Sequence, residues 1–169
     1  MGTCLADLLK LNLGCGLPKS HKPGWVNVDS NPVCRPDILL DIATGRWPWA
    51  NNSVGEAVMD NLAEHIGWDG LGRDLLCHAL NEAHRVLSPL GVMFIRVPDA
   101  QAWFYGAVRD PTHRRLFVPG SFDYWNYAHQ THKNYGRGYG YLPWHILSCT
   151  SVKAVGDQVF IEARQSPIK

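Results

Sequence analysis

Two groups of residues in this chain have types and spacing suited to chemistry. The first is Leu11-Asn12-Leu13-Gly14-Cys15-Gly16, with Asp29 about a dozen residues further on. A short apolar run ending in Gly-x-Gly lets a ligand approach the backbone, because glycine has no side chain and tolerates positive φ. A carboxylate that closes the next apolar run, as Asp29 closes Trp25-Val26-Asn27-Val28, can accept hydrogen bonds from a ribose. Together they describe a nucleoside-binding corner. The turn continues as Leu17-Pro18-Lys19 and lacks the third glycine of the longer turn that holds a pyrophosphate, which disfavours a dinucleotide. The second group is the histidines. His65, His113, His129, His132 and His145 are candidates for proton transfer, since an imidazole with a pKa of about 6.5 can act as a general base near neutrality. His129 and His132 are three apart and would share a helix face, but no Cys or carboxylate lies at a suitable ligand spacing nearby, so no metal site is expected.

These groups need a scaffold to position them. The chain has 169 residues, 46% hydrophobic and 18% charged, which is enough for one domain with a sizeable core and too little for two. A net charge of +1 provides no global field for nucleic acid or a membrane. No apolar run reaches the roughly 18 residues of a membrane span. The opening Met1-Gly2-Thr3-Cys4-Leu5-Ala6-Asp7 lacks the charged and apolar regions of a signal peptide. Five cysteines (Cys4, Cys15, Cys34, Cys77 and Cys149) without Cys-x-x-Cys spacing read as reduced thiols of a cytoplasmic protein.

Strand patterns fall at 10–14, 24–29, 36–41, 56–60 and 92–97, and residues 71–87 carry apolar side chains at helical spacing up to Ser88-Pro89-Leu90-Gly91. Alternating strands and crossovers predict a mostly parallel α/β sheet. Residues 17–23, with Pro18 and Pro23, are too short for a full crossover helix, so a single turn or a loop is expected there. Residues 144–150 and 157–164 read as two last strands that pair as an antiparallel hairpin at one sheet edge. The span 98–145 differs in texture: it holds twelve of the eighteen Phe, Trp and Tyr residues, four of the eight histidines, and the cations Arg109, Arg114, Arg115, Lys133 and Arg137. Such an insertion can cover a substrate, or its aromatics can build a local core under a long loop; the sequence leaves both open.

The order of these features resembles class I S-adenosylmethionine-dependent methyltransferases, in particular the type-11-like group. Leu11–Gly16 looks like the family's first motif, with Asn12 in place of the frequent Asp. Asp29 matches the ribose-binding acid. Asp41-Ile42 followed by Trp47-Pro48-Trp49 matches the segment in which an Asp meets the adenine amino group and an apolar residue covers the ring. Asn61-Leu62-Ala63-Glu64-His65 is similar to the family's Glu-His pair after the fourth strand, and Glu82-Ala83-His84-Arg85-Val86-Leu87 to its helix before the fifth. The resemblance covers residues 9–98 well and the last thirty loosely.

It implies a single Rossmann-like methyltransferase domain over 1–169, with 98–145 as the substrate-covering insertion and S-adenosylmethionine as the methyl donor. The implied donor-binding residues are Asn12, Gly14, Cys15, Gly16, Asp29, Asp41, Ile42, Trp47, Asn61 and Glu64. Asp110-Pro111-Thr112-His113 resembles a segment found after the fifth strand in some small enzymes of this group, which makes His113 the first candidate for the catalytic base, with His65 the second. Methyl transfer to an oxygen or nitrogen of a small molecule or sugar is the expected reaction. Two other readings stay open: a non-catalytic adenosylmethionine-binding partner subunit, and a nucleic-acid methyltransferase that holds a strand with the aromatic, basic span. No membrane is expected as a partner.

Overall fold

The computed structural model describes residues 8–169, so Cys4 and the opening heptapeptide lie outside the described residues. Seven strands form one sheet in the order β3-β2-β1-β4-β5-β7-β6. They are β1 (Leu9–Leu13), β2 (Val26–Asp29), β3 (Ile38–Leu39), β4 (Val54–Asp60), β5 (Leu87–Pro98), β6 (Trp144–Lys153) and β7 (Val159–Pro167). β1 to β5 pair in parallel, whereas β7 runs antiparallel to β5 and to β6. The C-terminal hairpin therefore closes one edge, as its turn residues predict. Among the described residues no helix is long and apolar enough to cross a membrane.

Few residues are helical. Between β1 and β2 the chain makes one 3-10 turn at Pro18–Ser20, because prolines on both sides leave no room for a longer helix. Among the described residues the one long helix, α1 (Leu75–Val86), starts four residues later than its apolar pattern predicts. The Asp69 carboxylate accepts hydrogen bonds from the amides of Leu71 and Arg73 and folds that stretch into a turn. Asp74 then caps the helix by accepting from the Cys77 amide at 3.0 Å. At the other end no left-handed glycine is used. Leu87 turns extended (φ −63°, ψ 140°) ahead of Ser88-Pro89 and enters β5 directly.

One face of the sheet carries the core. Leu11, Leu13, Ala57, Met59, Met93, Ile95 and Ile161 pack with Leu76, Leu80 and Ala83 of α1. Phe117, Phe122, Trp125 and Trp144 from the aromatic span join the same cluster, while Phe104, Tyr105, Tyr135 and Tyr139 stay exposed. The local-core reading of that span thus holds for the four buried residues. The other face of this mostly parallel sheet carries ion pairs: Lys10 pairs with Glu56 at 2.6 Å, and Arg96 lies 3.6 Å from both Asp60 and Glu162. Parallel sheets ordinarily carry helices on both faces. Here the connections that would supply the second layer are turns, and the charges keep that face compatible with water.

Candidate active site

The C-terminal ends of β1, β2 and β4 converge on one corner. After β1 the chain turns at Gly14 (φ +66°) and Gly16 (φ +64°). The Cys15 amide donates to Val28 at 2.9 Å, and the Gly16 amide donates to the Asp29 carboxylate at 3.0 Å, so the turn is sewn to the end of β2. Gly14 has no room for a side chain: a Cβ there would sit 2.6 Å from the Leu62 Cδ1 atom. Asp29 also accepts from the Asn31 amide at 2.9 Å, and Asp41 accepts from the Ala43 amide at 2.9 Å, which fixes both carboxylates. A cavity of about 250 Å³ opens between Gly14, Asp29, Asp41, Ile42, Leu62 and His65.

Six of the ten residues expected at a donor site do not line this cavity: Asn61 and Glu64 line a neighbouring pocket, and the other four lie elsewhere. Asn12 projects from the opposite side of β1 to Leu11 and Leu13, and its amide donates to Asn27 Oδ1 at 2.9 Å, tying β1 to β2. Cys15 is buried with its Sγ 3.4 Å from His21 Nε2. Gly16 acts through its amide on Asp29. Trp47 is a correction: at 1% exposure it belongs to the core. Its indole N–H donates to the Ile42 carbonyl at 3.0 Å and its ring packs edge-on against Trp49, so neither tryptophan walls the pocket.

A second corner lies beside the first. β4 is followed by Asn61 in a left-handed conformation (φ +52°), which an Asn tolerates better than most residues, and then by a 3-10 turn at Ala63–His65. The Glu64 carbonyl accepts from the amides of Arg114 at 2.7 Å and Arg115 at 3.1 Å. That clamp lays the segment after β5 onto the turn after β4 and brings His113 against His65, with ring centroids 4.8 Å apart and nearly perpendicular. Arg115 strengthens the clamp by donating to the Ile66 and Gly67 carbonyls while its guanidinium lies 4.0 Å over Trp68.

The hydrogen bonds fix the tautomers of both imidazoles. His113 Nδ1 lies 2.7 Å from the Ala107 carbonyl and must donate to it. The Thr112 hydroxyl donates to Asp110 at 2.6 Å, so it accepts from His65 Nδ1 at 3.0 Å. Each ring is left with its Nε2 free of a hydrogen bond to the protein. Glu64 stands beside them at 2% exposure, and neither of its carboxylate oxygens has a hydrogen-bond partner. Burial, reinforced by the charges of Asp60 and Asp110, pushes its carboxyl up to about 7. Burial, and then the neighbouring His113, hold His65 below the ordinary histidine value.

Glu64, His65 and His113 line a pocket of about 220 Å³ together with Asn61, Trp103 and Phe160. His65 lines both this pocket and the cavity that holds Asp29 and Asp41. Trp103 and Phe160 had no signal of their own in the sequence, because they come from the loop after β5 and from β7. A wider groove of about 990 Å³ runs between α1 and the aromatic span, past Trp68, Arg115, Tyr124 and Tyr139. His129 and His132 do not form a cluster: the His129 ring pairs with Thr131, and His132 is buried with its Nδ1 at the Tyr124 carbonyl.

No protein-family model matches the chain, and no curated protein is detectably similar to it in sequence. Solved structures are similar in fold. A chain of the complex between the Trm112 methyltransferase activator of Haloferax volcanii and a methyltransferase aligns at a TM-score of 0.64 and 12% identity, over 96% of this chain and 83% of that one. The 1,6-didemethyltoxoflavin N1-methyltransferase of Burkholderia thailandensis, solved with its acceptor and S-adenosylhomocysteine, aligns at 0.62 and 13% identity over 98% and 73%. The 16S rRNA (adenine(1408)-N(1))-methyltransferase of Catenulisporales acidiphilia aligns at 0.58 and 14% identity over 98% and 88%. The chain has the Rossmann-like fold of class I S-adenosylmethionine-dependent methyltransferases.

Proposed function

We propose that the protein transfers a methyl group from S-adenosylmethionine to an oxygen or nitrogen of a small molecule or sugar. The observation that carries this reading is the sharing of His65 between the cavity of Asp29 and Asp41 and the pocket of Glu64 and His113. The cavity residues fit the parts of the donor. Asp29 faces it at the end of β2, where a ribose needs an acceptor. Asp41 offers a carboxylate to an adenine amino group, and Ile42 and Leu62 offer apolar walls to a flat ring. The bare backbone at Gly14 allows close approach of the rest of the molecule.

When bound, the donor supplies a methyl group on a positively charged sulfur, which leaves proximity, alignment and the acceptor's proton to the protein. Trp103 and Phe160 give the acceptor pocket flat apolar walls, and Arg109 gives it a cation at the rim. The Glu64–His65–His113 corner orients the reacting group and assists loss of its proton, an effect worth on the order of 10²–10⁴ in rate. The neighbours of similar fold act on acceptors as different as a small heterocycle and a ribosomal RNA. The small volume of this pocket favours the small molecule here. Calorimetry checks the donor half directly: S-adenosylmethionine and S-adenosylhomocysteine should bind saturably at one site, and Asp29→Ala should weaken both tenfold or more. Absence of binding by either ligand contradicts the reading.

A further inference from the structure

We propose that Glu64, His65 and His113 form a binding site for one divalent transition-metal ion of the zinc type. One ligand atom from each residue lies within 4.8 Å of the other two, and among the described residues this is the one group of three or more His, Cys, Asp or Glu side chains so arranged. Two histidines and a carboxylate are a ligand set that zinc uses, with a fourth position left open. The imidazoles are prepared for it. His113 donates its Nδ1–H to the Ala107 carbonyl, and His65 donates its Nδ1–H to Thr112, whose own hydroxyl is turned to Asp110. Metal-bound histidines are held in this way, with the outer N–H tied to a carbonyl or polar group and the other nitrogen's lone pair free. Glu64 supplies the second, independent observation. A side chain 98% buried with two unpartnered oxygens is a loss in a folded protein unless something binds it.

Ligands of a tetrahedral zinc at about 2.1 Å stand roughly 3.4 Å apart, so side-chain rotations must draw the three together by up to about 1.4 Å. The backbone is already in place, because Glu64 accepts both the Arg114 and Arg115 amides. The three side chains line the same pocket as Trp103 and Phe160, so a further ligand would reach the ion from that pocket. Metal binding stands without any assumption about the reaction. Its role in catalysis rests on the methyl-transfer reading: with the imidazole lone pairs on the ion, it is the cation that would assist proton loss, an acceptor hydroxyl at the fourth position giving its proton to water more readily.

The test is a titration of untagged, chelator-treated full-length protein with Co²⁺, followed by competition with Zn²⁺. We expect one equivalent of Co²⁺ to produce the visible d–d absorption of a low-coordinate ion and Zn²⁺ to remove it. Glu64→Gln and His113→Ala should each weaken binding at least tenfold, with folding checked by circular dichroism. Thr112→Ala, which leaves all three ligands in place, should weaken it by about 10–100-fold. His129→Ala should leave it unchanged. No saturable binding of either ion, or binding indifferent to Glu64→Gln and His113→Ala, overturns the site. The two readings fail separately: adenosylmethionine bound by the metal-free protein with no metal binding ends only the metal site, and metal bound without any donor affinity ends only the methyl-transfer role.

Discussion

Glu82 on α1 and Glu64 after β4 are both withdrawn from water, and their surroundings are opposite. Glu82 accepts from the Trp47 amide and from Arg85 Nε and Nη2, each at 2.7 Å, and Arg85 in turn donates to the Trp47 and Trp49 carbonyls. Its carboxyl is held below the ordinary value, chiefly by the Arg85 hydrogen bonds. Glu64 has no partner on either oxygen, and its carboxyl is raised to about 7. A buried charge whose partners all come from the chain pins one segment to another, here the 42–51 turn to α1. A buried charge with none lowers the stability of the fold, which is the cost that the proposed metal site would offset.

The comparison predicts effects of opposite sign. The largest is in Glu82→Ala, which leaves Arg85 half-buried and uncompensated and should cost about 3–5 kcal/mol in urea unfolding. A loss under 1 kcal/mol would remove the contrast. Next is Glu64→Gln, measured with a chelator present. The folded-state value of Glu64 lies above that of the unfolded chain, so its stability is complete below about pH 4.5 and is lost as pH rises towards 7. The amide does not ionise. The variant should therefore match the wild type at pH 4.5 and exceed it by about 1–3 kcal/mol at pH 8. Equal stabilities at both pH values would mean that Glu64 is satisfied after all. A smaller effect is expected of Gly14→Ala: the left-handed backbone costs about 1–2 kcal/mol. Leu62 must also move, so donor affinity should fall more than stability does, as unfolding and calorimetry together would reveal.

The contrast between the two glutamates also marks where sequence reading reached and where it stopped. The positions of the strands along the chain, the turn in place of a first helix and the edge hairpin were legible because alternation, Pro18 and Pro23, and Gly156-Asp157 are local signals. The cavity residues Gly14 and Asp29 were legible for the same reason, as they close successive strands, whereas Asp41 and Ile42 were reached only through the family resemblance. Trp47 was misplaced because what holds it, the Ile42 carbonyl and Glu82, involves a contact across the fold. The start of α1 was missed because Asp69 captures its first residues. His65 and His113 could each be suspected singly, but their union depends on two amides bonded to the Glu64 carbonyl, and no spacing in the sequence encodes it.

The central claim is that donor cavity and acceptor pocket meet at His65. Long-range ¹H–¹⁵N spectra of the imidazoles, recorded during titration with S-adenosylhomocysteine, test it most directly. The account predicts that His65 and His113 appear as Nδ1–H tautomers in the free protein and that the His65 signals shift saturably with the ligand, while those of His129 and His145 stay in place. A saturable shift at His129 or His145 with His65 unmoved would contradict it.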